Sequence, residues 1–310
     1  MTGSSPYAGT MPAPALRIIV AVNAYASFGR RADVGPRVEA ALVAAGHTVT
    51  ARSEVNFDLL RTEVAVELVP GVDVLVVVGG DGMVSLATNL VAGTPIGLAI
   101  VPTGTGNDLA RGLGIPLDDT EAAIRHLLDA IAHPPRAIDA IRVQAEGRTS
   151  WCAGVVSAGF DAVVNDRANR MRRPRGKSRY TLAMLLVLAT FRPLSYRLSV
   201  DGAERTVRAM LISVANNSSI GGGMRIAPGA LLDDGLLDLF IVTPLSRLGL
   251  LRVFPKVFSG THTGLPQVEL NRCRSVWIDA DNVVAYGDGE RIGRLPVQLD
   301  VVPGALLVHA

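Results

Sequence analysis

Four carboxylates in this sequence sit on turns flanked by glycine. Asp81 lies in Gly79-Gly80-Asp81-Gly82, Asp108 ends Pro102-Thr103-Gly104-Thr105-Gly106-Asn107-Asp108, and Asp288 and Glu290 share Tyr286-Gly287-Asp288-Gly289-Glu290. Each of the first two turns ends an apolar strand and opens a helix. Asp73 to Val78 is a β-branched run without a polar break, as in a parallel strand buried on both faces, and Ile96 to Val101 repeats it. Glycine corners at positive φ would let N–H groups approach a phosphate with no Cβ in the way. Helices starting near Met83 and Asn107 would aim their positive ends at the same anion. A carboxylate beside a phosphate is repulsive unless a cation separates them, so Asp81 and Asp108 point to Mg²⁺, a hard ion that prefers oxygen. Together the two turns read as a nucleotide phosphate cradle.

The second half carries three more clusters. Gly221-Gly-Gly-Met-Arg-Ile-Ala-Pro228 leads into Leu231 to Asp238, where three carboxylates crowd one turn. A cation held by Asp234 with the carbonyls of Leu231 and Leu236 would relieve that crowding, and so would solvation of an ordinary hairpin. Asp288 and Glu290, two residues apart on an extended segment, would share a side, one as the acceptor of a hydroxyl proton and the other orienting it. The basic run that includes Arg172, Arg173, Arg175, Lys177 and Arg179 continues into the apolar stretch from Tyr180 to Phe191. Anionic headgroups would attract the first and acyl chains would enter the second, and Leu248 to Phe258 is another lipid-facing candidate. No aromatics interleave the basic run to stack bases, which argues against nucleic acid.

The elements that must hold these groups alternate strand and helix in the first half. Leu16 to Val22 reads as a strand, Val34 to Ala45 as a helix, Thr48 to Ala51 as a strand and Phe57 to Leu68 as a helix. Asp118 and Glu121 read as a capping box for a helix carrying Ile124, Leu127, Leu128 and Ile131. Such alternation implies a parallel sheet with ligands at the carboxyl ends of its strands. After about Asp139 strands and turns take over. Tyr196–Val200 with Thr206–Ala215, and Ser275–Ile278 with Val283–Tyr286, read as hairpins. The expected fold class is a Rossmann-like α/β domain at residues 16–140, joined by a last strand near 303–310, and an all-β, sandwich-like domain at 141–302, with the site in the cleft. Residues 1–15 read as a loose tail.

The 310 residues suit two domains, 49% hydrophobic residues suffice for two cores, and a net charge of +2 argues against a polyanionic partner. Cys152, Cys273 and five histidines show no metal or disulfide spacing. The longest apolar segment falls short of the roughly 20 residues that cross a bilayer. A cytoplasmic protein, at most peripheral to the inner membrane surface, is expected.

The ordered series of motifs from Leu16 to Val308 resembles the diacylglycerol kinase catalytic-domain family of soluble bacterial lipid kinases, related to sphingosine kinases and more distantly to NAD kinases. It comprises Asn23 at the end of the first strand, Gly79-Gly-Asp-Gly82, Gly104-Thr-Gly-Asn-Asp108 with Arg111, Gly159-Phe-Asp161, the Gly221–Pro228 run, Leu232–Asp238 and Asp288-Gly-Glu290. The resemblance implies transfer of the ATP γ-phosphate to a lipid hydroxyl. It places Asn23, Ala24, Tyr25, Ala26, Ser27, Ser53, Gly79, Gly80, Asp81, Gly82, Met83, Val84, Ser85, Gly104, Thr105, Asn107 and Asp108 at the nucleotide. Asp81 and Asp108 would organise phosphate and Mg²⁺, and Leu231, Asp234 and Leu236 would hold a structural Mg²⁺. Glu290, ranked ahead of Asp288, would take the proton, the two acting as a unit. The implied partner is a lipid substrate at a membrane surface, with diacylglycerol ahead of a sphingoid base or another long-chain alcohol. A catalytically weak binding relative and a homodimer are left open. Two departures from the family pattern stand out. Met83 occupies a position where a threonine hydroxyl would bond phosphate, and Asn23-Ala-Tyr-Ala-Ser-Phe-Gly29 replaces an Asn-Pro turn.

Overall fold

The structure is a computed structural model, and it describes residues 14–23, 33–171, 173, 182–183, 186–187 and 192–310. Strands β1 (Arg17–Asn23), β2 (Thr48–Glu54), β3 (Val74–Gly79) and β4 (Gly97–Pro102) run parallel in the order β2-β1-β3-β4. β3 and β4 are buried along their whole length. Their side chains alternate between two cores, Leu75 and Val77 on one face and Val74, Val76 and Val78 on the other. Helices α2 (Phe57–Glu67), α3 (Asp81–Val91) and α4 (Asp108–Gly112) cover the first face through Leu60, Val64, Ala87 and Leu109. Helices α1 (Val34–Ala44) and α5 (Thr120–Ile131) cover the second through Val38, Leu42, Ile124 and Leu127. The cap of α5 is Asp119, one residue later than expected: its carboxylate accepts from Ala122 N at 3.1 Å, while Glu121 pairs with Arg37 of α1.

Two long strands carry the sheet from the first half into the second. β5 (Arg136–Ala145) and β16 (Val297–His309) pair antiparallel, with an irregularity between Val302 and Leu306. The far end of β16 joins β4 in parallel and its near end joins β13 (Ser275–Asp279). β6 (Arg148–Cys152) pairs β5, and β8 (Leu194–Val200) with β9 (Ala203–Ala209) completes ten strands. The second sheet has the order β12-β11-β10-β7-β14-β15. Its members are β7 (Val155–Gly159), β10 (Leu211–Ala215), β11 (Leu237–Val242), β12 (Val268–Cys273), β14 (Val284–Gly287) and β15 (Glu290–Arg294). Val143, Val156, Leu198, Val214, Leu239 and Val276 fill the space between the sheets. The fold is therefore an α/β domain with a parallel sheet, followed by a β sandwich.

The hairpin expected around Ala280-Asp-Asn does not form. β13 lies in the larger sheet and β14 in the smaller, because Val276 and Ile278 face Ala285 across the sandwich core instead of lying beside it. The segment Thr206–Ala215 likewise divides: β9 completes a hairpin with β8 about Asp201 and Gly202, and β10 crosses to the other sheet. Helices α6 (Phe160–Arg170) and α7 (Arg247–Ser259) follow β7 and β11. Among the described residues no helix is long and apolar enough to cross a membrane. Both cysteines are buried and free, and burial pushes both thiols up, that of Cys273 to about 12.

Candidate active site

The two glycine turns meet at the carboxyl ends of β3 and β4, where Thr103 N donates to the Gly79 carbonyl at 2.8 Å. Their glycines serve contact between the turns. A methyl on Gly80 would stand 3.0 Å from Gly104 Cα, and one on Gly104 would collide with Gly80 Cα. None of Gly79, Gly80, Gly82, Gly104 or Gly106 takes positive φ; the left-handed residue is Asn107, at φ 54°. Close packing replaces the expected conformational role. The Asn107 carboxamide closes its own loop, accepting from Gly104 N at 3.1 Å and donating to Gly104 O at 2.9 Å.

Asp81 ties the turns together. Its carboxylate accepts from Asn107 N at 2.9 Å and Asp108 N at 2.7 Å, and so caps α4 from a neighbouring turn. The Asp108 carboxylate reaches into the second domain. Oδ1 accepts from Gly222 N at 3.0 Å and Gly223 N at 3.2 Å, and Oδ2 from Gly222 N at 3.1 Å. Burial, then the nearby Asp81 charge, push the Asp108 carboxyl up to about 6. A methyl on Gly106 would collide with Asp81 Oδ2 and approach Asp108 Oδ2 to 3.6 Å, so the two carboxylates flank one glycine. Asp81 keeps a lone pair on each oxygen and Asp108 keeps one on Oδ2. A desolvated carboxylate with a second one beside it, both with acceptor capacity left, fits a hard divalent cation.

Asp288 and Glu290 part company at their turn. Asp288 (φ 48°) and Gly289 (φ 86°) form a tight reversal between β14 and β15, so the extended, same-sided arrangement is replaced. The Asp288 carboxylate turns inward and accepts from Ala153 N at 2.9 Å, Gly154 N at 3.2 Å and Val155 N at 2.9 Å, pinning the start of β7. Glu290 turns outward to the cleft. It is exposed, yet surrounding protein desolvates its carboxyl enough to raise the pKa. A methyl on Gly82 would stand 3.3 Å from Glu290 Oε1, which puts this carboxylate at the first turn of α3. The structure thus brings Glu290 to the glycine turns and gives Asp288 a structural post.

The other expected site residues divide by side chain. Asn23 and Ser53 end adjacent strands at the same edge of the sheet, Ser53 exposed. Thr105 is exposed between the two flexures of its turn. Met83 and Val84 point into the core beneath the sheet, with Met83 packed against Gly79, and Ser85 is buried. A threonine at 83 would start from the same core-facing Cβ, with less volume to fill the space Met83 occupies. Met83→Thr is expected to lower stability by about 2–4 kcal/mol through lost volume and a buried hydroxyl. Urea melts check this, and an unchanged midpoint would show that the side chain is not core. Ala24, Tyr25, Ala26, Ser27, Arg172, Arg175, Lys177 and Arg179 lie outside the described residues; Arg173 is exposed.

The acidic turn after Ala230 is neutralised by arginines. Asp233 pairs with Arg136 at 2.6 Å, and Asp234 pairs with Arg272 while accepting from Leu236 N at 3.1 Å. Leu231 is exposed. Asp139 accepts from Gly235 N at 2.7 Å and Gly304 N at 2.9 Å, fixing the turn to the end of the chain. Arg272 thus already neutralises Asp234, and a cation held there with the carbonyls of Leu231 and Leu236 would have to share or displace that pair.

Two residues that the sequence did not single out join the domains. Asn216 is fully buried and donates to Asp139 O at 2.8 Å and Ala153 O at 3.1 Å. Asn217 donates to the main-chain carbonyl of Asp108 at 2.8 Å, and a methyl on Gly112 would collide with it. Asp108 is thereby held at its carbonyl and at its carboxylate by the same domain. The only signal was a pair of amides directly after an apolar strand, which reads as any loop.

Acidic glycine turns at the carboxyl ends of a parallel sheet, faced by a carboxylate from a β sandwich, define a two-domain phosphotransferase. Comparison with known proteins agrees. Residues 17–143 match the diacylglycerol kinase catalytic domain, and residues 154–310 match the YegS C-terminal NAD kinase beta sandwich-like domain. A diacylglycerol kinase of Mycobacterium tuberculosis is 42% identical over 250 residues, 80% of each chain. A YegS-like probable lipid kinase of Stenotrophomonas maltophilia is 31% identical over 77% of this chain and 79% of its own. The fold matches a crystal structure of a diacylglycerol kinase from Bacillus anthracis with a TM-score of 0.70 at 20% identity, over 95% of this chain and 96% of that one. The chain belongs to the family of diacylglycerol kinases and YegS-like lipid kinases.

Proposed function

We propose that this chain transfers the γ-phosphoryl group of ATP to the hydroxyl of diacylglycerol, giving phosphatidic acid, with Mg²⁺ as the accompanying cation. The reading is carried by the position of Glu290, a sandwich-domain carboxylate that stands over Gly82 beside the turns that hold Asp81 and Asp108. Asn23, Ser53, Gly82 and Thr105 line the nucleotide side, with the N terminus of α3 directed at the phosphates. Mg²⁺ held by Asp81 and Asp108 would offset their repulsion and draw charge from the phosphates. The acceptor oxygen bonds to the γ-phosphorus as the bond to the bridging oxygen of ADP breaks, and Glu290 receives the hydroxyl proton. Its carboxyl pKa is raised by desolvation, so turnover is expected to rise with pH through that value as the base loses its proton.

Exposed Arg173, Arg252 and Lys256, and exposed Leu182, Leu186 and Leu248, are basic and apolar groups of the kind a lipid interface requires. The test is transfer from labelled ATP to micelle-dispersed diacylglycerol, monoacylglycerol, ceramide and sphingosine, with and without Mg²⁺. Mg²⁺-dependent phosphatidic acid is the expected product. Preferential labelling of sphingosine would move the acceptor to sphingoid bases, and a blank panel with intact ATP binding would sink the kinase reading.

A further inference from the structure

The loop that grips Asp108 has its footing elsewhere in the second domain. Paired main-chain bonds between Ile220 and Met224, 2.9 and 3.0 Å long, close the glycine turn that presents Gly222 and Gly223. The next two residues are fastened to the end of α7. Arg225 N donates to the Val257 carbonyl at 2.9 Å, and the Ile226 carbonyl lies 3.1 Å from His262 Nε2. A carbonyl can only accept, so Nε2 carries the ring proton.

His262 sits on the 3-10 turn Thr261–Gly264 that follows α7 and is fully buried. Its ring meets Phe240 of β11 edge-on, with centroids 5.3 Å apart at 88°. Gly260 makes the bend at φ 73°, where a methyl would press on Pro228 at 3.0 Å. The outer side of α7 presents Leu248, Arg252 and Lys256 to solvent. One short run of chain thus connects a basic and apolar helix to the carboxylate pair in the cleft.

We propose that His262 is a positioning residue for the phosphate site: by holding Ile226 it fixes the loop that offers the Gly222 and Gly223 N–H groups to Asp108, and it ties that loop to α7. The proposal rests on the reading of Asp81 and Asp108 as the pair that holds the cation. It assigns a buried histidine outside the cleft to cation affinity, which a purely packing role would leave untouched.

The test uses Mn²⁺, a paramagnetic hard cation, bound to the full chain and followed by electron paramagnetic resonance, with kinase turnover titrated in parallel. His262→Phe keeps a ring against Phe240 but lacks the donor, and His262→Gln keeps a donor without the ring. The Phe variant is expected to bind Mn²⁺ about fivefold to tenfold more weakly, the loss of one hydrogen bond, and Gln to recover most of that. Wild-type Mn²⁺ affinity in the Phe variant would overturn the proposal. A wild-type chain that takes up no Mn²⁺ would overturn it from beneath, by removing the carboxylate-pair reading, and the two failures are told apart by which protein shows them. Should the Phe variant not fold, amide hydrogen exchange on the wild type decides. Mn²⁺ is expected to slow exchange at Gly222, Gly223 and residues 257–262 together, and protection confined to the glycines would refute the link.

Discussion

Glu290→Gln is expected to cut phosphoryl transfer by about 10²- to 10⁴-fold, the range of a general base, while leaving the melting temperature within a degree or two. The glutamate is exposed at the cleft, its carboxylate lies over Gly82, and the amide is nearly isosteric, so little but proton acceptance is removed. Asp288→Asn should behave in the opposite way. Both oxygens of Asp288 accept N–H groups from Ala153, Gly154 and Val155. An amide there sets an NH₂ against an N–H donor, while Asn itself tolerates the left-handed backbone at φ 48°. The expected loss is about 1–3 kcal/mol of stability, with turnover per folded molecule falling far less than in Glu290→Gln. Thermal melts and steady-state rates on the two single variants separate the roles. Equal loss of rate in both, with unchanged melting, would restore the pair as a catalytic unit.

That division could not be read from the sequence, where Asp288 and Glu290 are two acids on one glycine turn. Which acid points inward depends on φ at Asp288, and on β7 lying beside β14, a pairing between segments more than a hundred residues apart. The parallel sheet was legible because strands buried on both faces write uninterrupted apolar runs such as Val74–Val78. Partner choice between β strands was not. β13 and β14 each read as a short strand, and a strand signal is silent about whether neighbours pair in one sheet or face each other across a core. The glycine turns were found for the right residues and a different reason, since contact between Gly80 and Gly104 leaves no trace in either turn alone. At Met83 the sequence showed a missing hydroxyl, and it was silent about the side chain packing into the core. The acidic turn at Asp233 and Asp234 was read as needing neutralisation, and arginines 97 residues upstream and on β12 supply it.

Asp108→Asn is expected to abolish transfer and, at neutral pH, to stabilise the fold. The folded carboxyl titrates at about 6 against an ordinary aspartate value of 3.8, with burial the larger cause and Asp81 the second. Below the unfolded value both states are protonated and the group contributes nothing unfavourable. As pH rises from about 4 through 6 the unfolded chain ionises first, so wild-type stability falls across that window and the loss is complete above it. Two units correspond to about 3 kcal/mol. An asparagine escapes the titration, and its single carbonyl oxygen can keep the two bonds that converge on Oδ1 from Gly222 and Gly223. Its NH₂ replaces the oxygen facing Gly222 N at 3.1 Å, which takes back part of the gain. A net stabilisation of about 1–3 kcal/mol at pH 7.5, shrinking towards zero near pH 4, is the expected result of urea melts on the cation-free chain. Burial raises the Asp288 carboxyl as well, but its three separate N–H donors are spread over both oxygens, so an asparagine there must turn its NH₂ on one of them, and that contrast makes the prediction specific. A variant less stable than wild type at pH 7.5 would mean that the glycine N–H groups more than compensate the buried charge. A more stable, inactive variant would mark Asp108 as a carboxylate retained for the phosphate site at the expense of the fold.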